Sequence, residues 1–582
     1  MIFSHHDTRK KIKKESLLLV IFFLLSFTVS AQDQSIDKIY REHLHIHLNN
    51  TFFVTGETLL FSVHCHTSDN HRISALSSLA YLELIAENQK PVFQIKVPLK
   101  NGVGSGDFFL AATLPAGNYT LVGYTKWMKN FPLREFSRQI ITVINPFLKA
   151  DAVTRKKTTL SGAGEKSTST IPATDIIKLT VPREKLQLRE KISVSIKNAD
   201  SLEQVTLSIN VRLIDKKFSP QESLTNVNET HPIYSPGTDK GVRYLPDFRG
   251  ELISGKVVNK TTRQSLAHAI VYLSSPSQNF IFKTARTDSL GRFFFSIENS
   301  RASTALLLSL ASADHREFEI ERTSEFLDDY EYFSPPPLVI DTSFRKTIER
   351  RNLYSQIENA YYEVKKDSIA VPSHSKPFFG KPDKIYMLDE YARFATMEDV
   401  FREYIPEIVV KKKNEKFELQ LVSSLSSIRL TGVPLILLDG IPVPDADIIM
   451  KYNPLNIQRI EIVARRYFYS ALQTDGIISL ETYEGNAKDL SLSEMIPLSY
   501  ITPQPAKIYF TPSYPKKGFA RIPDYRTQLF WKPALTMTEG NEQLIDFFTS
   551  DVTGNFIISV EGFTTDGRYF KTEESIEVVN ER

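Results

Sequence analysis

One stretch, residues 434–485, constrains this chain more than any other: PLILLDGIPVPDADIIMKYNPLNIQRIEIVARRYFYSALQTDGIISLETYEG. The apolar run 435–438 stops at Asp439-Gly440, a dipeptide suited to a tight turn. Ile441-Pro442-Val443 resumes an extended path, and a polar-apolar segment follows as far as Asn456. Ile460 and Ile462 alternate with Arg459 and Glu461, the spacing of a strand with one buried face. Asp475-Gly476 marks a second turn, and residues 477–482 read as a last strand.

Three pieces carry a resemblance: LLDGIPV, then NIQRIEIV, then DGIISLET. In this order they resemble the plug domain of outer-membrane TonB-dependent receptors. The match departs at ARRYFYSALQ, where that family usually carries extra glycines. Such receptors thread the plug into a 22-stranded barrel, which needs about 220 residues before any loops. Only 97 residues follow Gly485, 582 less 485. The expectation is a plug-like domain at 385–485 without a barrel of its own.

The rest of the chain leans to β structure, with 38 Phe and 24 Tyr among 582 residues. Five basic groups (Arg9, Lys10, Lys11, Lys13, Lys14) precede the apolar run 17–29, and Val29-Ser30-Ala31 offers a cleavage site before Gln32. This is the order of a secretory signal peptide, 1–31, whose thirteen-residue core is too short to span a bilayer. No other apolar run is long enough to span, so no membrane-spanning segment is expected in the mature chain. Without that leader, 66 basic and 66 acidic groups remain, 71 less 5 and 68 less 2, so nothing argues for a nucleic-acid partner. Cys65 is the single cysteine, so an exported chain of this kind has no internal disulfide.

Residues 32–148 read as strands separated by turns. FFVTGETLLFSV, an aromatic-x-x-Gly-Glu element, and LPAGNYTLVGYT resemble the bacterial macroglobulin-type β-sandwich. Residues 149–175 are rich in Lys, Ser, Thr, Gly and Ala and read as a linker. Alternation returns at 192–196 and 205–213, so 176–248 reads as a second module of that kind, ending in a polar stretch from Asp215 to Asp247. GKVV, AIVYL and the turn TDSLGRF, within 249–324, resemble the carboxypeptidase regulatory-like β-sandwich, an accessory fold that implies no peptidase. Residues 325–384 read as a linker with one helix, apolar at Ile348, Leu353, Ile357 and Tyr361. Residues 386–405 read as the helical entry to the plug-like domain, 486–505 as a linker, and 506–582 as a further sandwich piece. The fold class is therefore mainly β: tandem β-sandwich modules plus one small α+β plug-like domain.

No catalytic constellation stands out. His43, His45 and His47 alternate on one strand, and His64 and His66 on the next. Imidazoles brought together this way could take zinc or copper, while a polar outer face is the plainer reading; whether His45, His47, His64 and His66 bind metal stays open. Cys65 falls on the apolar side, and HCHT is not the Cys-Gly-Glu-Gln setting of a macroglobulin thioester. There is no H-E-x-x-H and no G-x-S-x-G, since Ser105 is misplaced among Gly102, Gly104 and Gly106, and those glycines lack a following Lys-Ser/Thr. Asp389, Glu390, Asp439 and Asp445 are candidate paired acids, though a turn explains Asp439 and solvated surface the others. No catalytic, cofactor or metal residue is assigned. The expected function is that of a non-enzymatic exported protein at the periplasmic side of the outer membrane, working by protein–protein contact. Its plug-like domain would be an adaptor to a separate barrel or complex. The alternatives are a macroglobulin-like protease-binding or defence protein without a thioester, and a metal- or ligand-binding envelope protein.

Overall fold

The computed structural model describes residues 41–69, 71–148, 154–156, 176–199, 203–214, 242–298, 305–311, 317–341, 344–369, 377–490, 495–515 and 518–581. The segment 1–31, read as a signal peptide, lies outside the described residues. So does most of the linker 149–175, of which Thr154–Lys156 pairs in parallel with Val339–Asp341. The architecture is mainly β, in tandem sandwiches with one α+β domain.

The first sandwich packs a three-stranded sheet (Glu42–Leu48, Thr58–Thr67, Val103–Phe109) on a five-stranded one (Phe52–Val54, Ser137–Ile144, Gly117–Tyr124, Leu79–Ile85, Pro91–Pro98). Leu44, Ile46, Phe61, Val63 and Cys65 meet Tyr81, Leu121, Tyr124 and Ile141 in its core. Period-two alternation fixes that face, and Cys65 lies on the apolar side of its strand, opposite Leu44. Two motif residues have structural work. The Tyr119 hydroxyl of LPAGNYT donates to the Pro115 carbonyl at 2.6 Å. Glu57 of the aromatic-x-x-Gly-Glu element accepts Val54 N at 2.9 Å and the Arg351 guanidinium at 2.7 and 3.0 Å.

A second sandwich is assembled from two distant segments. Val205–Leu213 pairs antiparallel with both Gln528–Met537 and Gly554–Thr564, inside a five-stranded sheet completed by Tyr569–Val579 and Lys185–Gln187. The opposing sheet is Ile177–Thr180, Lys191–Asn198 and Glu542–Phe548. The pieces read separately at 176–248 and 506–582 are thus halves of one module. Each segment contributes four strands, too few to close two layers alone, and their apolar faces share one core that includes Ile192, Val194, Ile196, Phe547, Phe556 and Ile558.

The third sandwich pairs Glu251–Asn259 with Arg292–Ile297 and Phe318–Arg322. Its other sheet runs Ile281–Arg286, Ile270–Ser275, Ala305–Leu310 and Ile496–Ser499. Ile496–Ser499 falls in the stretch read as the linker 486–505, and Leu498 and Tyr500 are buried in this core. The stretch 325–384, read as a linker with one helix, has that helix and also carries core residues. Phe326, Leu327 and Phe333 fill the first sandwich, while the helix Arg345–Ala360 buries Arg351 and Ser355 and leaves Leu353 55% exposed. Polar groups face inward there because the helix lies over the Gly56-Glu57 turn, where Ser355 Oγ would be 2.5 Å from a Cβ on Gly56.

Charges buried between modules hold the first and third sandwiches together. Lys96, fully buried, pairs with Glu251 and Glu325. Tyr500 donates to Glu251 at 2.5 Å, and Tyr81 to Asp247 at 2.8 Å. Burial pushes the Lys96 ammonium down to about 8 and the Asp247 carboxyl up to about 6.

The α+β domain has a mixed sheet in the order Lys384–Met387, Ile457–Val463, Ile477–Thr482, Leu435–Leu438, Ile441–Pro442. Leu435–Leu438 runs parallel to Ile477–Thr482 and the other pairs are antiparallel. The helical entry expected over 386–405 is shorter: Lys384–Met387 is an edge strand and the helix spans Met397–Tyr404. It starts at Thr396, whose hydroxyl accepts Asp399 N at 3.2 Å. This helix and Ala446–Met450 cover one face of the sheet through Val400, Phe401, Ile449, Ile460, Ile462 and Leu480.

Candidate functional site

The α+β domain is built around its two Asp-Gly turns. Asp439 and Gly440 both have positive φ, 50° and 82°, as the turn between Leu435–Leu438 and Ile441–Pro442 requires. Asp439 is fully buried and does more than turn the chain. Its carboxylate accepts Thr482 N at 2.7 Å, Thr482 Oγ1 at 2.6 Å and Ala487 N at 2.7 Å, clasping the end of the last strand. Asp475 accepts Gly432 N at 2.7 Å and Arg466 Nε at 2.9 Å.

The second face of this sheet is not open. Phe280 and Phe282 of the third sandwich pack on Leu435, Leu437, Val463 and Ile477. A Cβ on Gly440 would lie 2.3 Å from Phe280, so the turn backbone presses directly on that ring. Ile460 and Ile462 face one side as expected, but Glu461 and Glu481 on the other are buried too, sharing Arg459. With both faces covered, the exposed parts of this domain are its edges and loops.

Two features lie there. A cleft of about 540 Å³ opens between the α+β domain and the third sandwich, lined by Tyr272, Ser309, Gln420, Val433, Pro442 and Gln473 among others. Gln420 keeps Oε1 buried without a hydrogen-bond partner. Beside it, the chain leaving Lys416–Leu421 reverses over 423–428, with Ser423 N donating to Ile428 O at 2.8 Å. This reversal and its return leg expose Leu425 by 86%, Ile428 by 65% and Val433 by 79%. Sequence reasoning passed over these three. They sit singly among Ser, Thr and Gly without strand or helix period, and only apolar residues stranded in a turn-rich segment hinted at them.

The candidate acids do not converge. Asp389 pairs with Arg393 and accepts the Tyr483 hydroxyl at 2.5 Å. Asp445 caps Ala446–Met450 by accepting Asp447 N at 2.9 Å, and Glu390 is exposed. Gly102, Gly104 and Gly106 flank Ser105 at and within the strand Val103–Phe109; a Cβ on Gly106 would meet Gln504 Oε1 at 2.1 Å. Close packing explains that glycine.

The histidines are not a polar outer face. His43 stands opposite His66, His45 opposite His64 and His47 opposite Ser62. That face is buried against the five-stranded sheet of the split sandwich. His45 Nε2 lies 3.4 Å from Glu561 Oε1, and His47 Nδ1 lies 2.5 Å from Ser208 Oγ and 3.5 Å from Glu561 Oε1. His66 packs on Phe563 at 3.8 Å between ring centroids, and His47 on Trp531 at 5.3 Å. Burial pushes the His47 imidazole down to about 4, His64 to about 3 and His66 well below the ordinary range. Burial alone would raise the Glu561 carboxyl, but His47, His45 and Lys571 outweigh it and hold it below the usual carboxylate range. Among the described residues, no three His, Cys, Asp or Glu are placed to hold a metal ion. His45, His47, His64 and His66 form a buried layer beside one buried carboxylate, Glu561.

No protein-family model and no curated protein matches the chain. Among solved structures it is similar to Salmonella alpha-2-macroglobulin reacted with methylamine, at 10% identity and a TM-score of 0.24, over 93% of this chain and 40% of that one. Escherichia coli alpha-2-macroglobulin activated by porcine elastase gives 9% identity and 0.24, over 93% and 44%. The Yersinia pseudotuberculosis adhesin InvE gives 10% identity and 0.13, over 49% and 59%. The chain spans less than half the length of the two macroglobulins. Likenesses at this level decide neither fold nor function; the fold rests on the pairings and cores above.

Proposed function

We propose that this chain is a non-catalytic exported envelope protein that acts by protein–protein contact at the outer membrane. Its α+β domain is the adaptor to a separate barrel or complex. The observation that carries this reading is the exposure of Val433 in the wall of the cleft and of Leu425 and Ile428 on the chain reversal that leads into it, on a domain whose sheet is covered on both faces. Large apolar side chains held out in water next to a groove mark a contact surface better than any catalytic group present. The modules behind it support a rigid role, being locked by the Lys96 cluster and the histidine layer. Three of the candidate carboxylates, Asp439, Asp445 and Asp389, are held by a turn, a helix cap and an arginine, and the fourth, Glu390, is exposed.

The test is photo-crosslinking from position 425 in intact envelopes, followed by identification of the adduct. The expected result is an outer-membrane protein crosslinked to the wild-type chain and lost when Ile428 and Val433 are changed to Asp. A chain recovered as a monomer without any adduct overturns the reading.

A further inference from the structure

A second cavity, of about 250 Å³, lies where the first sandwich, the split sandwich and the helix Arg345–Ala360 meet. Its donors and acceptors do not balance. The carboxylates in its wall are already engaged. Glu57 accepts Arg351 and Val54 N. Glu358 accepts Lys365 at 2.7 and 2.8 Å and Tyr525 N at 2.6 Å. Asp367 accepts Phe510 N at 2.8 Å.

The donors are in surplus. Arg212, from the strand Val205–Leu213, lines the cavity half-buried and makes no hydrogen bond or ion pair among the described residues. Burial works against its charge, Glu573 attracts it from beyond contact distance, and Arg351 repels it. A guanidinium stays charged in proteins, so a half-buried one that lines a cavity and makes no hydrogen bond offers its donors to an anion there. Arg350, exposed on the helix, lines the same cavity and makes no hydrogen bond or ion pair among the described residues. Tyr354 stacks on Tyr525 at 5.1 Å and keeps a hydroxyl that donates to nothing described.

We infer that this cavity is a binding site for a small ligand bearing one oxyanion group, carboxylate or phosphate, held by Arg212 and Arg350 with Tyr354 as a further donor. Planar guanidinium donors suit either group, and charge-assisted bonds of this kind are the strong ones. The volume fits a small anion better than a nucleotide-sized cofactor. The site is independent of the adaptor surface, which lies on another module.

Isothermal titration of the full chain at low salt, with inorganic phosphate and succinate as separate probes, tests the site. At least one probe is expected to bind in the low-millimolar range or tighter, and Arg212→Gln to weaken it about tenfold. The melting temperature without ligand should move little. Binding of phosphate alone, succinate alone or both assigns the group that is held. If Arg212→Gln does not fold, Arg350→Gln and Tyr354→Phe carry the test, each with a weaker loss of about threefold or more. Neither probe binding below about 10 mM, or equal affinity in wild type and variants, overturns the proposal.

Discussion

Acidification should loosen the contact between the first and the split sandwich, and its size can be worked from the histidine layer. His47 is held neutral with its value pushed down to about 4, and His64 to about 3, both from an ordinary 6.5. Burial is the main cause in each. The native state therefore binds fewer protons than the opened chain wherever the pH lies below about 6.5. The stability these two groups contribute is complete above about 6.5, falls progressively as pH drops below that value, and is fully lost once pH reaches the native values. One unit corresponds to about 1.4 kcal/mol, so at pH 5 each histidine costs about 2 kcal/mol, or about 4 if they act independently. Glu561 adds nothing in this window, because its own loss begins only below the ordinary carboxylate value. Trp531, against His47 in the contact, is a built-in reporter, and Trp127→Phe makes it the sole tryptophan. Urea unfolding followed by its fluorescence should show a midpoint about 1 M lower at pH 5 than at pH 7.5, for an m-value near 3 kcal/mol/M. The double variant His47→Gln, His64→Gln should lose most of that difference. An unchanged midpoint in wild type, or an equal drop in the double variant, refutes the reasoning.

Three further outcomes follow from single contacts. Lys96→Met leaves Glu251 and Glu325 buried without their shared cation, so thermal or urea denaturation should report a loss of about 3–5 kcal/mol. Gly440→Val places a Cβ against Phe280 at a backbone angle that valine resists, so limited proteolysis should cut between the α+β domain and the third sandwich in the variant and not in wild type. Asp439→Ala strips the acceptor from Thr482 N and Ala487 N; the cost should be at least about 2 kcal/mol in urea, without any change in the oligomeric state.

The sequence carries local facts well and long-range ones poorly. Asp439-Gly440 and Asp475-Gly476 announce turns because few other residues tolerate that backbone, and the strands around them follow from alternation. The union of 176–214 with 525–581 was not legible, since strand pairing across more than 300 residues leaves no periodic mark in either segment. The histidine face shows the same limit. Its alternation was plain, but what covers it, Glu561 and Ser208, lies hundreds of residues away, so a buried polar face reads like a solvated one. Phe326, Phe333, Leu498 and Tyr500 looked like linker residues because single apolar side chains amid polar neighbours carry no period, although each fills a core. Among the candidate acids, Asp439 was assigned to its turn correctly, but its three accepted hydrogen bonds depend on Thr482 and Ala487, which only the fold brings near.

The central claim concerns the turn that carries Leu425 and Ile428. Replacing both with Asp touches no core, so stability should stay within about 0.5 kcal/mol. The decisive measurement is quantitative co-purification of wild type and this double variant from the outer-membrane fraction, with both chains shown to be equally folded. The account expects wild type to bring down an outer-membrane barrel or complex in near-equal amount, and the variant to lose it by at least about tenfold. Equal recovery with both chains, or a folded wild-type chain that brings down no outer-membrane protein, would contradict it.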